Sequence, residues 1–163
     1  MQPITPFLWY DGQAEEAANL YTSIFPDSQI VEVQRWGPVG TSVPGGPVPP
    51  GTVMSATVRL RGQEFILFNG GPMFQFSPAV SLFVSCKTQE EVDHYWDRLA
   101  ADGVIEQCGW LRDKFGVSWQ IIPDVLMELL HDKDPEKSKR TMQAMLQMKK
   151  IDIQGLKKAH QGG

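Results

Sequence analysis

The chain has 163 residues, 42% of them hydrophobic and 21% charged, with a net charge of −4. That length suits one domain with a sizeable core. The acidic balance argues against non-specific nucleic-acid binding, which needs a basic face, and no stretch approaches the ~20 apolar residues of a membrane span. The opening MQPITPFLWYDG has neither a basic n-region nor a long apolar h-region, so no secretion leader is expected. The two cysteines, Cys86 and Cys108, fall in predicted strands and are expected as free thiols in a reducing cytoplasm.

In chain order, ITPFLWY at residues 4–10 reads as a strand. DGQAEEAANLYTSIF then carries apolar residues on one helical face, with Asp11 or Gly12 near the start and Pro26 just past the end. SQIVEVQRW alternates as a strand. Residues 37–51, dense in proline and glycine, are expected to be a loop. TVMSATVRLRG and QEFILFN read as antiparallel strands joined by a tight turn at Arg61–Gly62.

VSLFVSC starts a second strand series. TQEEVDHYWDRLAADG is a helix with a capping box from Thr88 to Glu91 and an apolar face of Val92, Tyr95, Trp96 and Leu99, ended by Gly103. CGWLRDKFGVSWQIIP, residues 108–123, reads as a hairpin with a polar turn at Arg112–Gly116; the amide of Gln120 interrupts its second apolar run. From Asp124 the chain is helical: DVLMELL, then a helix with Asp134 as N-cap and Pro135 at its first position, with Met142, Met145, Leu146 and Lys149 in one stripe, and a last short piece, IDIQGLKKAH. The methionine stripe fits core packing or the cover of a sheet edge.

The two halves repeat. FLWYDGQAEEAANLY lies over LFVSCKTQEEVDHYW, with Glu15 on Glu90, Glu16 on Glu91 and Tyr21 on Trp96, and RGQEFILFN lies over KFGVSWQIIP, pairing Ile66 with Gln120. Each half is therefore β-α-β-β-β: residues 4–69 and 79–123, with a helical tail over 124–163. On these modules, and on the stretches ITPFLWYDGQAEEAANLYTSIFP, FILFNGGPMFQFSPAVSLFVSC, TQEEVDHYWDRL, CGWLRDKFGVSWQIIP and AMLQMKKIDI, the chain resembles the vicinal oxygen chelate superfamily (glyoxalase I, fosfomycin-resistance proteins, extradiol dioxygenases). More narrowly, it is similar to its PhnB-like branch, whose members carry the label 3-demethylubiquinone-9 3-methyltransferase. The resemblance implies an α+β fold in which two tandem βαβββ modules form a curved mixed sheet around a cavity.

It also implies where metal ligands would stand: at or near Pro6, Ile66, Ser81 and Gln120, on the first and last strands of each module. None is a His, Asp, Glu or Cys, the donors that divalent first-row metals require, so no metal and no cofactor is expected. With these positions taken as inward, alternation puts Leu8, Tyr10, Glu64, Phe68, Phe83, Ser85, Ser118 and Ile122 on the cavity face. Phe7, Trp9, Phe65, Leu67, Leu82, Val84, Trp119 and Ile121 then face the helices. The expected ligand-binding residues are Tyr10, Glu64, Ile66, Phe68, Ser81, Phe83, Ser118 and Gln120, mostly apolar with a few polar groups, as small-molecule pockets are.

Glu64 is the one carboxylate of that set. Desolvated, it could act as a general base; at the rim beside the turn it would simply be solvated. Gln120 and Ser81 could bond a ligand, or each other and a structural water. His94, His131 and His160 read as surface histidines, and no nucleophile arrangement is formed by them. A Rossmann-like methyltransferase needs a Gly-rich strand-to-helix turn, and Gly45–Gly46 and Gly70–Gly71 precede no helix pattern. The expectation is a cytoplasmic homodimer, without nucleic-acid or membrane partners, binding an unknown small molecule. The alternatives are a lyase- or isomerase-like enzyme and an interaction module without a ligand.

Overall fold

The computed structural model describes residues 2–38 and 41–163. Its contacts divide into two compact units, Met1–Phe76 and Ser77–Gly163.

The first unit contains β1 (Phe7–Tyr10), α1 (Ala14–Ile24), β2 (Gln29–Arg35), β3 (Thr41–Val43), β4 (Gly46–Val48), β5 (Val53–Leu60) and β6 (Gln63–Asn69). Four of these strands form a mixed sheet in the order β1-β6-β5-β2, with β1 and β6 parallel. The Arg61–Gly62 turn has both residues at positive φ, 48° and 90°, the conformation that matches the twist of a two-residue hairpin. Residues 37–51 are more ordered than their composition suggests: β3 and β4 pair as a small hairpin, Thr41 opposite Val48 and Val43 opposite Gly46. The part of that stretch at Val39 and Gly40 lies outside the described residues.

Helix α1 buries Ala14, Ala17, Ala18, Tyr21 and Ile24 against the sheet. Neither Asp11 nor Gly12 caps it. The N-cap position is Gln13, which makes no side-chain cap. The first helical N–H, that of Ala14, is instead taken by Oδ1 of Asn69 at 2.9 Å, while Asn69 Nδ2 donates to the Val53 carbonyl at 3.1 Å. One buried amide at the end of β6 thus joins the helix, its own strand and β5, and satisfies a donor that the helix leaves open. Replacing it with the isosteric but apolar leucine (Asn69→Leu) should leave the Ala14 N–H and the Val53 carbonyl unpaired. A loss of at least about 1–3 kcal/mol in urea unfolding is expected, the cost of an unsatisfied buried polar group.

The second unit repeats the plan with β7 (Ser81–Cys86), α2 (Gln89–Ala100), β8 (Val104–Ile105), β9 (Trp110–Arg112) and β10 (Ser118–Pro123), in the order β7-β10-β9-β8 with β7 and β10 parallel. Each unit therefore pairs its first strand with its last, and the β-α-β-β-β repeat read from the sequence is present in both. Helix α2 buries Val92, Tyr95, Trp96 and Leu99, the predicted face. Thr88 Oγ1 accepts from Glu91 N, and the Glu91 carboxylate reaches back to the Lys87 N–H, one residue before the N-cap.

The tail forms α3 (Asp124–Leu130), α4 (Pro135–Leu146) and α5 (Ile153–Gln161). Asp134 caps α4 as expected, accepting from Glu136 N and Lys137 N. Ile122 of β10 packs with Leu126, Ile151 and Leu156, and Met145 and Met148 lie against that cluster. The methionine stripe is split: Met145 packs inward, while Met142 and Leu146 remain exposed. Two further expectations are corrected here. Cys108 lies in the turn before β9 at a φ of 57°, not in a strand, and its N–H and that of Gly109 bond the carbonyls of Met148 and Lys149. His160 is a half-buried residue, its Nε2 3.0 Å from Asp132 Oδ2, so it ties α5 to the α3–α4 link. His94 and His131 are exposed as expected.

Candidate functional site

In each unit the helix packs on one face of the sheet, and strand alternation leaves the other face for function. In the second unit this face is laid out by register. Phe83, Gln120 and Trp110 lie side by side on β7, β10 and β9, and Ser81, Ser118 and Arg112 form the neighbouring row. Trp119, Ile121 and Val84 point the other way and are buried. The predicted inward set of this unit, Ser81, Phe83, Ser85, Ser118, Gln120 and Ile122, thus shares one face. Its far end, Ile122, is filled by the tail helices. Trp110 stands on this face too, as the direct neighbour of Gln120 in register.

The parity of β10 has a local cause that sequence reading missed. Asp113, only 3% exposed, accepts from the N–H groups of Phe115 and Val117 with Oδ1 and from the indole N–H of Trp119 with Oδ2, at 2.9–3.0 Å. The same carboxylate shapes the Asp113–Gly116 turn and pins Trp119 into the core. Alternation then forces Gln120 outward. An aspartate in the polar turn, six residues before a tryptophan, was the available signal; a turn position alone gave no reason to expect burial.

Gln120 donates from Nε2 to Ser81 Oγ at 2.9 Å. The two residues whose amide and hydroxyl stand at ligand-equivalent positions therefore bond each other. Ser118, 1% exposed, has no hydrogen-bond partner for its Oγ among the described residues. Arg112, next to it in register, has its guanidinium charge balanced by Glu106 at 2.9 Å.

In the first unit the β6 residues face as predicted, with Ile66 and Phe68 on the open side and Phe65 and Leu67 buried. Strand β1 does not. It begins at Phe7 rather than Ile4, and its register sets Phe7 beside Ile66, Leu8 beside Leu67, Trp9 beside Phe68 and Tyr10 beside Asn69. Phe7 and Trp9 therefore share the open face with Phe68, their rings 5.2 and 5.3 Å from its centroid. Tyr10 is removed from the candidate site: it lies 2% exposed beneath α1, its hydroxyl 3.2 Å from that of Tyr21. Pro6 contributes only its carbonyl, which accepts from Ile66 N. The parity slipped because both residue pairs on this strand are apolar or aromatic, so alternation in the sequence carries no sign. The link after β6 is anchored on β1: the Trp9 indole donates to the Gly71 carbonyl, and the rings of Phe74 and Phe76 meet Trp9 and Tyr10. An ideal Cβ at Gly70 would sit 2.2 Å from the Trp9 ring, so glycine is required there.

Glu64 is neither solvated at a rim nor poised as a base. It is largely buried and paired with Arg59, its cross-strand partner, at 2.7 Å. The hydrogen bond from Arg59, opposed by burial, holds its carboxyl below the ordinary glutamate value. A general base near neutral pH needs the opposite shift. The sign of the linkage follows: a depressed folded-state value stabilises the protein above the unfolded-state value, and that contribution is lost as pH falls through the folded one. Comparing wild type with Arg59→Met by urea unfolding across the acid range should give a stability gap that is full at neutral pH and closes below the ordinary glutamate value. A gap that is the same at pH 7 and pH 3 would contradict the pairing.

The fold also holds a cleft of about 170 Å³ under the β3–β4 hairpin, lined by Trp36, Val43, Val48, Val53 and Pro72 beside Asn69. The proline and glycine content of residues 37–51 predicts a loop, and the hairpin found there lines this cleft.

Two sheets with first-to-last parallel pairing, each with its crossover helix on one face, define the class: a tandem βαβββ protein of the glyoxalase type. The family described as 3-demethylubiquinone-9 3-methyltransferase matches residues 2–122, and the chain belongs to that family, the PhnB-like branch that fits the vicinal oxygen chelate superfamily. Among solved structures, the chain is 44% identical to a putative 3-demethylubiquinone-9 3-methyltransferase, PhnB protein, from Bacillus cereus, over 75% of this chain and 99% of that one, with a TM-score of 0.66. A Staphylococcus aureus protein is 33% identical over 74% of this chain and 94% of its own, with a TM-score of 0.34. The protein PA1353 from Pseudomonas aeruginosa, 17% identical with a TM-score of 0.55 over 76% of this chain and 98% of that one, shares the fold. No functionally curated protein matches the chain. The family match ends at Ile122, so the tail, including AMLQMKKIDI, lies outside it.

Neither chemistry that the relatives suggest by name or fold finds its residues here. The positions at which the superfamily resemblance implies metal ligands are Ile66, Ser81 and Gln120, and the register sets Phe7 rather than Pro6 beside Ile66. Among the described residues no three His, Cys, Asp or Glu side chains gather closely enough to hold an ion. The donor set does not fit a divalent metal. For a methyltransferase of the Rossmann kind, the strand-to-helix turn should be glycine-rich; the β1–α1 turn is Asp11–Gly12–Gln13, and Gly70–Gly71 leads into an irregular link. No helix among the described residues is long and apolar enough to cross a membrane.

Proposed function

We propose that the protein binds a small, partly apolar molecule on its open sheet surface, without a metal, and that it works as a cytoplasmic homodimer. The observation that carries this reading is the second unit's face. Where the superfamily keeps a metal ligand, an uncharged amide is held by a serine hydroxyl and flanked in register by two aromatic side chains, Phe83 and Trp110. Apolar walls with a few fixed polar groups are the usual make-up of a ligand site. Cys86 and Cys108, not joined in a disulfide, suit a reducing compartment. The exposed rings of Phe7 and Phe83, 56% and 52% accessible, supply apolar surface for a ligand or a second copy. An enzymatic reading through Glu64 is weaker, because its carboxylate is committed to Arg59.

The test is a thermal-shift screen with neutral aromatic, neutral aliphatic and anionic small molecules, with sedimentation to fix the oligomeric state. A ligand at a hundred times its dissociation constant stabilises by about 2.7 kcal/mol, which for a chain of this size raises the melting temperature by about 5–10 °C. Such a shift from neutral aromatic compounds, on a species of twice the chain mass, is the expected result. A monomer that no small molecule stabilises would overturn the reading.

A further inference from the structure

We propose that the second unit's face is built for an uncharged planar ring whose edge carries an adjacent hydrogen-bond donor and acceptor, the chemistry of a lactam or a ring-fused amide. The proposal rests on the small-molecule reading above and specifies its ligand class.

Three observations support it. First, the polar groups form a complementary pair. Because Gln120 Nε2 donates to Ser81 Oγ, the Ser81 hydroxyl hydrogen is left to donate elsewhere, and Gln120 Oε1 is left to accept; neither has another partner among the described residues. One donor beside one acceptor is what an N–H and C=O edge requires.

Second, the hydroxyl of Ser118 lies in the adjoining position of the same face, opposite Ser81 in register. It is 1% exposed and has no hydrogen-bond partner among the described residues. Buried hydroxyls are nearly always paired, and each exception calls for an explanation. The hydroxyl is covered in the ligand-free structure, so a ligand carbonyl pairs it once the side chains over this row move aside on binding.

Third, the walls and the charge balance fit. Phe83 and Trp110 stand on either side of Gln120, two strand spacings or roughly 10 Å apart at the backbone, enough for a flat ring standing on its polar edge between them. The one ionic side chain in the two rows, Arg112, is paired with Glu106. A carboxylate or phosphate ligand would find no unpaired cation there, whereas a neutral amide edge loses less hydration on burial than an ion does.

The experiment uses the full chain and four probes: 2-quinolone, which has the N–H and C=O edge; N-methyl-2-quinolone, which lacks the donor; naphthalene, which has only the ring; and quinoline-2-carboxylate, which has the ring and a charge. Calorimetric titration and melting temperature are read for each. The expected result is that 2-quinolone binds and the other three bind at least about tenfold more weakly, the consequence of one hydrogen bond left unmade by a buried group. Ser118→Ala should melt as the wild type does, since no described protein group depends on that hydroxyl, and should weaken 2-quinolone about tenfold. Gln120→Leu should abolish the distinction between 2-quinolone and naphthalene. If N-methyl-2-quinolone or naphthalene binds as well as 2-quinolone, the donor–acceptor edge is wrong while the small-molecule reading stands. If the carboxylate is preferred, the neutrality argument fails. If Ser118→Ala lowers the melting temperature and leaves 2-quinolone binding unchanged, the hydroxyl serves the fold through a structural water, and the assignment is overturned. Absence of 2-quinolone binding overturns it as well, whatever else the screen in the preceding section captures.

Discussion

The parallel pairing of the first strand with the last is the constraint on which the rest of the structure depends. In each unit it places two strands from opposite ends of the module side by side, and a crossover helix must then cover one sheet face. That face takes Leu67, Val58 and Ala56 in one unit and Trp119, Ile121 and Val84 in the other. The period of two along each strand commits the alternate residues to the opposite face, whatever their polarity. Gln120 and Ser118 are therefore where they are because Trp119 and Ile121 fill the core, and Trp119 is fixed by the Asp113 carboxylate.

Much of this was legible in the sequence. The repeat of FLWYDGQAEEAANLY over LFVSCKTQEEVDHYW gave the module plan, and the apolar face of α2 and the caps at Thr88 and Asp134 follow from local chemistry alone. Periodicity worked on β10, where polar Ser118 and Gln120 alternate with apolar neighbours. It failed on β1, where PFLWY offers an aromatic or aliphatic side chain at every step after Pro6. There the facing is decided by pairing with Ile66 and Phe68, a long-range fact. The same limit explains Asn69 and Asp113. Each is a polar residue at a strand end or turn, and its burial depends on partners that periodicity does not reveal: Val53 and Ala14 for one, Trp119 for the other. The β3–β4 hairpin escaped notice because its strands are three residues long and bracketed by Pro44, Gly45 and Pro49.

The site was legible in its residue types and less so in their relations. The family resemblance sets Ser81 and Gln120 inward and alternation adds Phe83 and Ser118; in the structure the four share one face with Trp110. Glu64 was the residue most open to a chemical role, and its Arg59 partner lies directly across the hairpin, five residues away. An ion pair of that kind lowers the carboxyl where catalysis would need it raised. On the paired first and last strands of each unit, the open-face positions Ile66, Ser81 and Gln120 carry hydrocarbon, hydroxyl and amide groups.

The neutral side chains at these positions are a poor donor set for a divalent metal. The most direct measurement is metal analysis of the full chain after equilibration with zinc, nickel and manganese and removal of free ions, repeated on Gln120→Leu. Far less than one ion per chain is expected for both proteins, with no change in melting temperature on adding any of the three. One tightly held ion per chain in the wild type, lost in Gln120→Leu, would contradict this.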